Sequence, residues 1–434
     1  MKSGGRRIVI TAVGSLGDLH PYLAIARELQ NRGHRPVVAT LPLFRERVEA
    51  AGLEFHPLRG STVQEPSPEL IARVVGGRRG VEYIIRELIL PAVRTAYEDT
   101  CAASDGADLL VSHPLTVATR LVAETRHIPW VSTQLAPMSM MSAHDPPILP
   151  GLGWMRRINA PAGLWRALFR LASLRTRPWV RPYDDLRSQL RVADCGNPIF
   201  EGGHSPFLEL ALFSPVFGPP QPDWPRNAIA TGFPFFEQPI LEDPVLSEWL
   251  ASGPAPAVFT LGSTAVMTPG DFFRESEAAA RTLGVRALLL GARLEGFTAP
   301  GRGTCAGTEQ VFACGYGSYA QIFPRAAVTV HSGGIGTTAE ALRSGRPMLV
   351  VPFGTDQPDN AARAARLGVG RSLTRREYLA SRVAEELRAL LEQPGYARRA
   401  ADVGSSIRAE NGAATACDAL ERLLNRAESS GSPV

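Results

Sequence analysis

No run of about eighteen apolar residues occurs in this 434-residue chain, so no membrane-spanning helix is expected. Cysteine is scarce: Cys101, Cys195, Cys305, Cys314 and Cys417 are odd in number and never form a C-x-x-C pair. That pattern excludes a cysteine-held zinc site and reads as five reduced thiols. Strong charge of one sign is missing too. A net charge of +4, spread over so large a surface, gives no reason to expect nucleic acid as a partner. There is no short internal repeat and no long low-complexity segment, only a Ser/Gly/Pro tail, which excludes solenoid arrays. The start leads from Lys2, Arg6 and Arg7 straight into an apolar strand, without the pattern of a signal peptide. A cytoplasmic location is therefore expected.

What is present is an ordinary globular composition, 44% apolar and 20% charged, in a chain too long for one core. Residues 8–13 form a continuous apolar run that reads as a buried strand. A loop over 14–21 follows, then a helix over 22–32 with Leu23, Ile25, Ala26 and Leu29 as its apolar set and Gly33 as its stop. A strand at 37–41, a short helix at 44–51 and a strand at 54–58 complete a β-α-β-α-β order, which predicts a doubly wound parallel sheet. The first loop has only G-x-x-G, so it is no dinucleotide fingerprint. Proline-rich stretches at 219–224 and 234–254 mark the passage to a second domain. There, strands at 257–261, 286–290, 310–314, 328–330 and 347–352 alternate with helical patterns.

The most informative stretch is 331–360, HSGGIGTTAEALRSGRPMLVVPFGTDQPDN. After a β-branched strand come Gly333, Gly334 and Gly336, which let the backbone turn sharply and let a ligand approach the main chain. The helix opening there presents free N–H groups and a positive dipole end, a seat for phosphate. The next strand ends in Asp356-Gln357, at the carboxyl end where open α/β sheets bind ligands. Together these features point to a nucleotide carrying a hydroxyl-rich group.

This stretch resembles the donor-binding signature of the family 1 glycosyltransferases. In that family the turn binds the diphosphate, a glutamate one turn into the helix holds the ribose, and Asp-Gln holds the sugar hydroxyls. The resemblance implies those roles for Gly333, Gly334, Gly336 and Thr337, for Glu340, and for Asp356 with Gln357. The plant members' diphosphate-binding histidine aligns with Ser332, so its role passes to His331 or to the backbone alone. A second turn, Gly262-Ser263, resembles the loop facing the donor diphosphate, and Tyr316 stands where relatives stack the base. The implied fold is GT-B, an α/β architecture of two Rossmann-like, doubly wound parallel-sheet domains facing a central cleft. The implied domains are 1–236 for the acceptor and 237–411 for the nucleotide-sugar, with 412–434 a last helix and tail packed back on the first. No Asp-x-Asp occurs, so the manganese motif of the other common glycosyltransferase fold is absent. No cofactor and no metal are expected, with the UDP-sugar as co-substrate.

The first loop resembles the family's acceptor-side loop, in which the catalytic base sits three residues before a proline. Asp18 holds that position, with Gly17 beside it facing the donor. An aspartate before a helix is also a good cap. His20 is a rival base by its near-neutral pKa, and His113, at the end of a strand over 107–113, stands where plant members orient their base.

From 138 to 183 the pattern changes to tryptophans, prolines and arginines. Met138, Met141, Trp154, Trp165 and Phe169 are the candidate walls of an apolar acceptor pocket. Leu164, Leu168 and Leu171 share one helical face, with Arg166 and Arg170 opposite. That pattern fits either a core helix with its arginines in water or a peripheral membrane contact. The favoured function is inverting transfer of a hexose, glucose from UDP-glucose, to an apolar acceptor by a monomer or weak homodimer. A rhamnosyl donor on dTDP, a GT-B epimerase and a non-catalytic helper subunit are the alternatives.

Overall fold

The computed structural model describes residues 5–59, 67–75, 79–151, 160–194, 196–237, 243–291, 305–315 and 317–429. The apolar strand runs assemble into two seven-stranded sheets. The first contains β1 (Arg7–Thr11), β2 (Arg35–Thr40), β3 (Glu54–Pro57), β4 (Leu109–Ser112), β5 (Trp130–Gln134), β6 (Leu208–Ala211) and β7 (Ala228–Ala230), in the order β3-β2-β1-β4-β5-β6-β7. All its pairings are parallel. The second contains β8 (Ala257–Thr260), β9 (Ala287–Leu290), β10 (Cys305–Gly307), β11 (Val311–Cys314), β12 (Val328–His331), β13 (Met348–Val350) and β14 (Gly370–Ser372), in the order β10-β11-β9-β8-β12-β13-β14. There only β10 is antiparallel. Strands covered by helices on both faces bury every side chain, which is why Ile8, Val9, Ile10, Val258, Val328 and Val330 are fully inaccessible. Each such side chain contributes roughly 1.5–3 kcal/mol of burial free energy.

Strand order places the site. In the first sheet the chain winds outward from β1 to β2 and β3, then returns to add β4 on β1's other side. The second sheet repeats this with β8, flanked by β9 and β12. Both reversals leave a crevice at the carboxyl ends of the central strands, where open sheets bind ligands.

Three expectations are corrected. The first helix begins at Leu16, not near residue 22, and carries Pro21 inside it. Ser15 and Asp18 form a capping box that fixes this earlier start. The 219–224 stretch precedes β7 and so belongs to the first sheet's lobe, not to the passage between lobes. Finally, Cys305 and Cys314 are joined by a disulfide. The antiparallel β10–β11 register makes them directly opposed partners, a pairing that residue spacing alone does not reveal.

The last helix, Gly412–Ser429, lies on the first helix, Leu16–Asn31. Cys417 and Leu420 are fully buried there, and Arg32 reaches Asp418 at 2.6 Å and Glu421 at 2.8 Å.

Candidate active site

The two crevices face each other. A Cβ built on Gly336 would come within 3.5 Å of Gly17 Cα, so the N-terminus of the first helix touches that of the helix Ile335–Ser344. Beside this contact lies a cavity of about 510 Å3, walled by Leu16, Gly17, His20 and Arg47 from one lobe. Gly262, Ser263, Tyr319, Thr337, Glu340 and Arg343 wall it from the other, and residues 233–237 cross between them.

Asp18 is bound locally. Its Oδ2 accepts from Ser15 N at 2.6 Å and Ser15 Oγ at 2.8 Å. The other oxygen lies 3.8 Å from His113 Nε2. His113 Nδ1 accepts from Leu115 N at 3.0 Å, so in the neutral ring Nε2 carries the hydrogen, on the side of Asp18. Burial raises the Asp18 carboxyl, but His113 and the Ser15 donors outweigh it and hold the group below its ordinary value. Gly14, at φ +124°, is required here, because any Cβ would sit 2.5 Å from Asp18 Oδ2. His20 lines the cavity beside Phe236, with ring centroids 5.8 Å apart. Desolvation and then Arg47 push its pKa down to about 4.

On the facing side, β12 ends in His331 and Ser332 follows it, both buried. Ser332 Oγ donates to Leu261 O at 2.9 Å, tying the two turns of the second lobe together. His331 Nδ1 accepts from Gly333 N at 3.1 Å, and burial pushes its pKa down to about 3. His331 is thus a neutral ring that shapes the turn through Nδ1. Gly333, at φ +88°, has Val350 Cγ1 2.6 Å from any added Cβ. Gly334 caps the helix, and Gly262 turns at φ +70° with Thr337 Oγ1 3.2 Å from its would-be Cβ.

Glu340 lies on the cavity wall with Oε2 buried and lacking a hydrogen-bond partner among the described residues. Burial pushes its pKa up to about 7, with Arg343 opposing and Glu237 adding to the rise. Asp356 lies off the cavity. Its Oδ2 accepts from Ile335 N at 3.2 Å and Asn360 Nδ2 at 2.7 Å, so it occupies the N-terminus of the glycine-turn helix. Burial pushes its pKa up to about 6, Thr355 counters this, and the charge of Asp18 adds to the rise. Gln357 turns its oxygen to Phe353 N at 2.7 Å and Gly354 N at 3.2 Å, leaving only its Nε2 hydrogens for a ligand.

The expected acceptor residues do not gather around this cavity. Met138 and Met141 are partly buried in the 137–141 turn. Trp165 is core, 3% exposed, with Phe169 packed 6.2 Å from it, because their helix turns its aromatic side inward. Leu164, Leu168 and Leu171 face outward instead. Trp154 and Tyr316 lie outside the described residues.

Several residues of the site escape sequence reasoning. Tyr319 donates to or accepts from Thr260 Oγ1 at 2.8 Å on the cavity wall. Arg343 reaches Glu237 at 2.5 Å and covers the Phe235 ring at 4.5 Å. Arg363, 2% exposed, links Asp359 at 2.7 Å to Asp145 of the other lobe at 2.5 Å. Its only sequence signal was an arginine four residues after an aspartate on a helix.

Residues 8–144 match the glycosyltransferase family 28 N-terminal domain, and 310–423 match the erythromycin biosynthesis protein CIII-like C-terminal domain. The O-mycaminosyltylonolide 6-deoxyallosyltransferase of Streptomyces fradiae is 32% identical, over 96% of this chain and 97% of its own. The vancomycin aglycone glucosyltransferase of Amycolatopsis orientalis is 28% identical over 84% and 85%. A sterol 3-beta-glucosyltransferase of Leptosphaeria maculans is 26% identical over 97% of this chain but 29% of its own. Among solved structures, the kitacinnamycin glycosyltransferase superposes with a TM-score of 0.71 at 22% identity, covering 97% and 99% of the two chains. Two facing doubly wound sheets, a glycine-turn helix with its glutamate, and these relatives together place the chain in the family 1 glycosyltransferases of GT-B fold, among those of antibiotic and sterol type.

Proposed function

We propose that the chain transfers a hexose, with inversion and without a metal, from a nucleoside diphosphate to a hydroxyl of an apolar small molecule. The carrying observation is Glu340 Oε2, a buried acceptor with no partner among the described residues, on the wall of a cleft shared by both lobes. A vicinal diol such as ribose satisfies such an acceptor.

The diphosphate seats at the N–H groups from Ile335 onward, with Gly262 and Ser263 opposite, where helix dipole and amides offset its charge. Its arrival displaces the Asp356 carboxylate from Ile335 N and frees it for sugar hydroxyls. The acceptor oxygen attacks the anomeric carbon from the face opposite the diphosphate. As the new C–O bond forms, the bond to the diphosphate oxygen breaks and the nucleoside diphosphate leaves as an anion. The hydroxyl proton passes to Asp18 Oδ1, while Oδ2 stays fixed by Ser15.

UDP-glucose is the first donor reading. A dTDP-carried 6-deoxyhexose is the second, favoured by the Streptomyces fradiae relative, whose name is that of a 6-deoxyallosyltransferase. A panel of UDP-glucose and dTDP-deoxyhexoses against phenols, sterols, hydroxy fatty acids and macrolide aglycones is the test. Transfer to an apolar acceptor supports the proposal. Epimerised sugar from donor alone, or no turnover with any acceptor, overturns it.

A further inference from the structure

Helix Ala162–Thr176 is anchored by one side and bare on the other. Inward, Trp165 is buried, Ser173 Oγ donates to Glu201 at 3.0 Å, and Asn197 Nδ2 donates to Ser173 O at 3.0 Å. Outward, Leu164, Leu168, Leu171 and Leu174 are 50%, 43%, 50% and 71% exposed. At roughly 100° per residue these four fall within an arc of about 120°. They are half of the eight exposed large apolar side chains among the described residues, so the exposure is a stripe and not the usual scatter.

Charge decides what covers it. From 146 to 183 the sequence has seven arginines and no aspartate or glutamate. Arg177 turns to Asp184 and Asp194, but Arg166, Arg170 and Arg175 are exposed on this helix. Arg170 borders the leucine arc and Arg175 falls within it, while Arg166 lies farther round, its guanidinium 3.0 Å from His144 Nε2. A second copy docked on a two-fold axis would bring these arginines against their own like.

We propose that this helix lies on an anionic lipid surface, its leucines in the acyl boundary and its arginines at the headgroups. The proposal stands apart from the catalytic assignment, since lipid binding requires no turnover.

The test is co-sedimentation of the full chain with phosphatidylglycerol-containing and with pure phosphatidylcholine vesicles, at low and high salt. Binding to the anionic vesicles alone, weakened by salt, is expected. Leu168→Glu/Leu171→Glu should reduce it on the order of tenfold, and Arg170→Gln/Arg175→Gln several-fold, with unchanged melting temperature. No binding to anionic vesicles, or equal binding by wild type and the leucine variant, overturns the proposal. So does a dimer in solution that the leucine substitutions dissociate, because the stripe is then covered by a second copy.

Discussion

The N-termini of the two facing helices are built alike and closed differently. The Leu16–Asn31 helix is capped from within, by Ser15 and by Asp18 three residues on. The Ile335–Ser344 helix is closed by Asp356, which comes from the far side of the next strand. A cap made inside one turn is rigid, which suits a group that must hold its position while a proton moves. A cap lent by a separate element can leave, which suits a site that must open to a diphosphate. The difference also separates the charges: Asp18 is held below its ordinary pKa, and Asp356 is pushed up to about 6.

The largest effect is expected where the rigid cap is also the proposed base. Asp18→Asn keeps an acceptor for Ser15 and removes the basicity, so turnover on an alcohol or weakly acidic phenol should fall about 10²–10⁴-fold. Melting temperature should change little, since the asparagine amide oxygen still accepts from Ser15. His20→Gln should retain most activity. The reverse result for the two variants would assign the base to His20.

The contact between lobes is sharpened by Asp145→Asn, which leaves Arg363 buried with one carboxylate fewer. Breaking a buried pair from one side costs about 3 kcal/mol at the lower end, read as a fall in denaturant midpoint. An unchanged midpoint would show that Arg363 is hydrated once its partner is gone.

On the donor side, Glu340→Gln should weaken UDP binding roughly tenfold, as expected for a hydrogen bond to a charged acceptor. Its pH dependence has a definite sign. With a pKa near 7 in the free protein, lowered when ribose hydroxyls donate to it, the carboxylate form binds UDP. Affinity should therefore rise from pH 6 to pH 8, with proton release at pH 7. Glu340→Gln should abolish both, and a flat profile in the wild type would count against the ribose contact. The smallest effect expected is none: activity should survive excess EDTA, and its loss would show that a metal carries charge assigned here to helix amides.

How far these features were legible differs between the lobes for a physical reason. The donor turn is contiguous, so Gly333, Gly336, Glu340 and Asp356 could be read together from one stretch. The acceptor side is assembled from dispersed loops, and periodicity reports which side chains share a helix face, not which face is buried. That is why Leu164, Leu168 and Leu171 were grouped correctly while their exposure stayed hidden. Asp18 was legible as a residue of the helix start, but the start itself was misplaced, because Pro21 reads as a beginning. The Cys305–Cys314 bridge depends on hairpin register, and Arg363 on a partner 218 residues away.

The proposed cleft is divided, with the base on one lobe and the nucleotide on the other. Calorimetric titration of UDP into Asp18→Asn and Glu340→Gln, side by side with wild type at pH 7.5, tests that division most directly. Asp18→Asn is expected to bind UDP within about twofold of wild type, and Glu340→Gln about tenfold more weakly. Equal losses in the two variants, or wild-type affinity in Glu340→Gln, would contradict it.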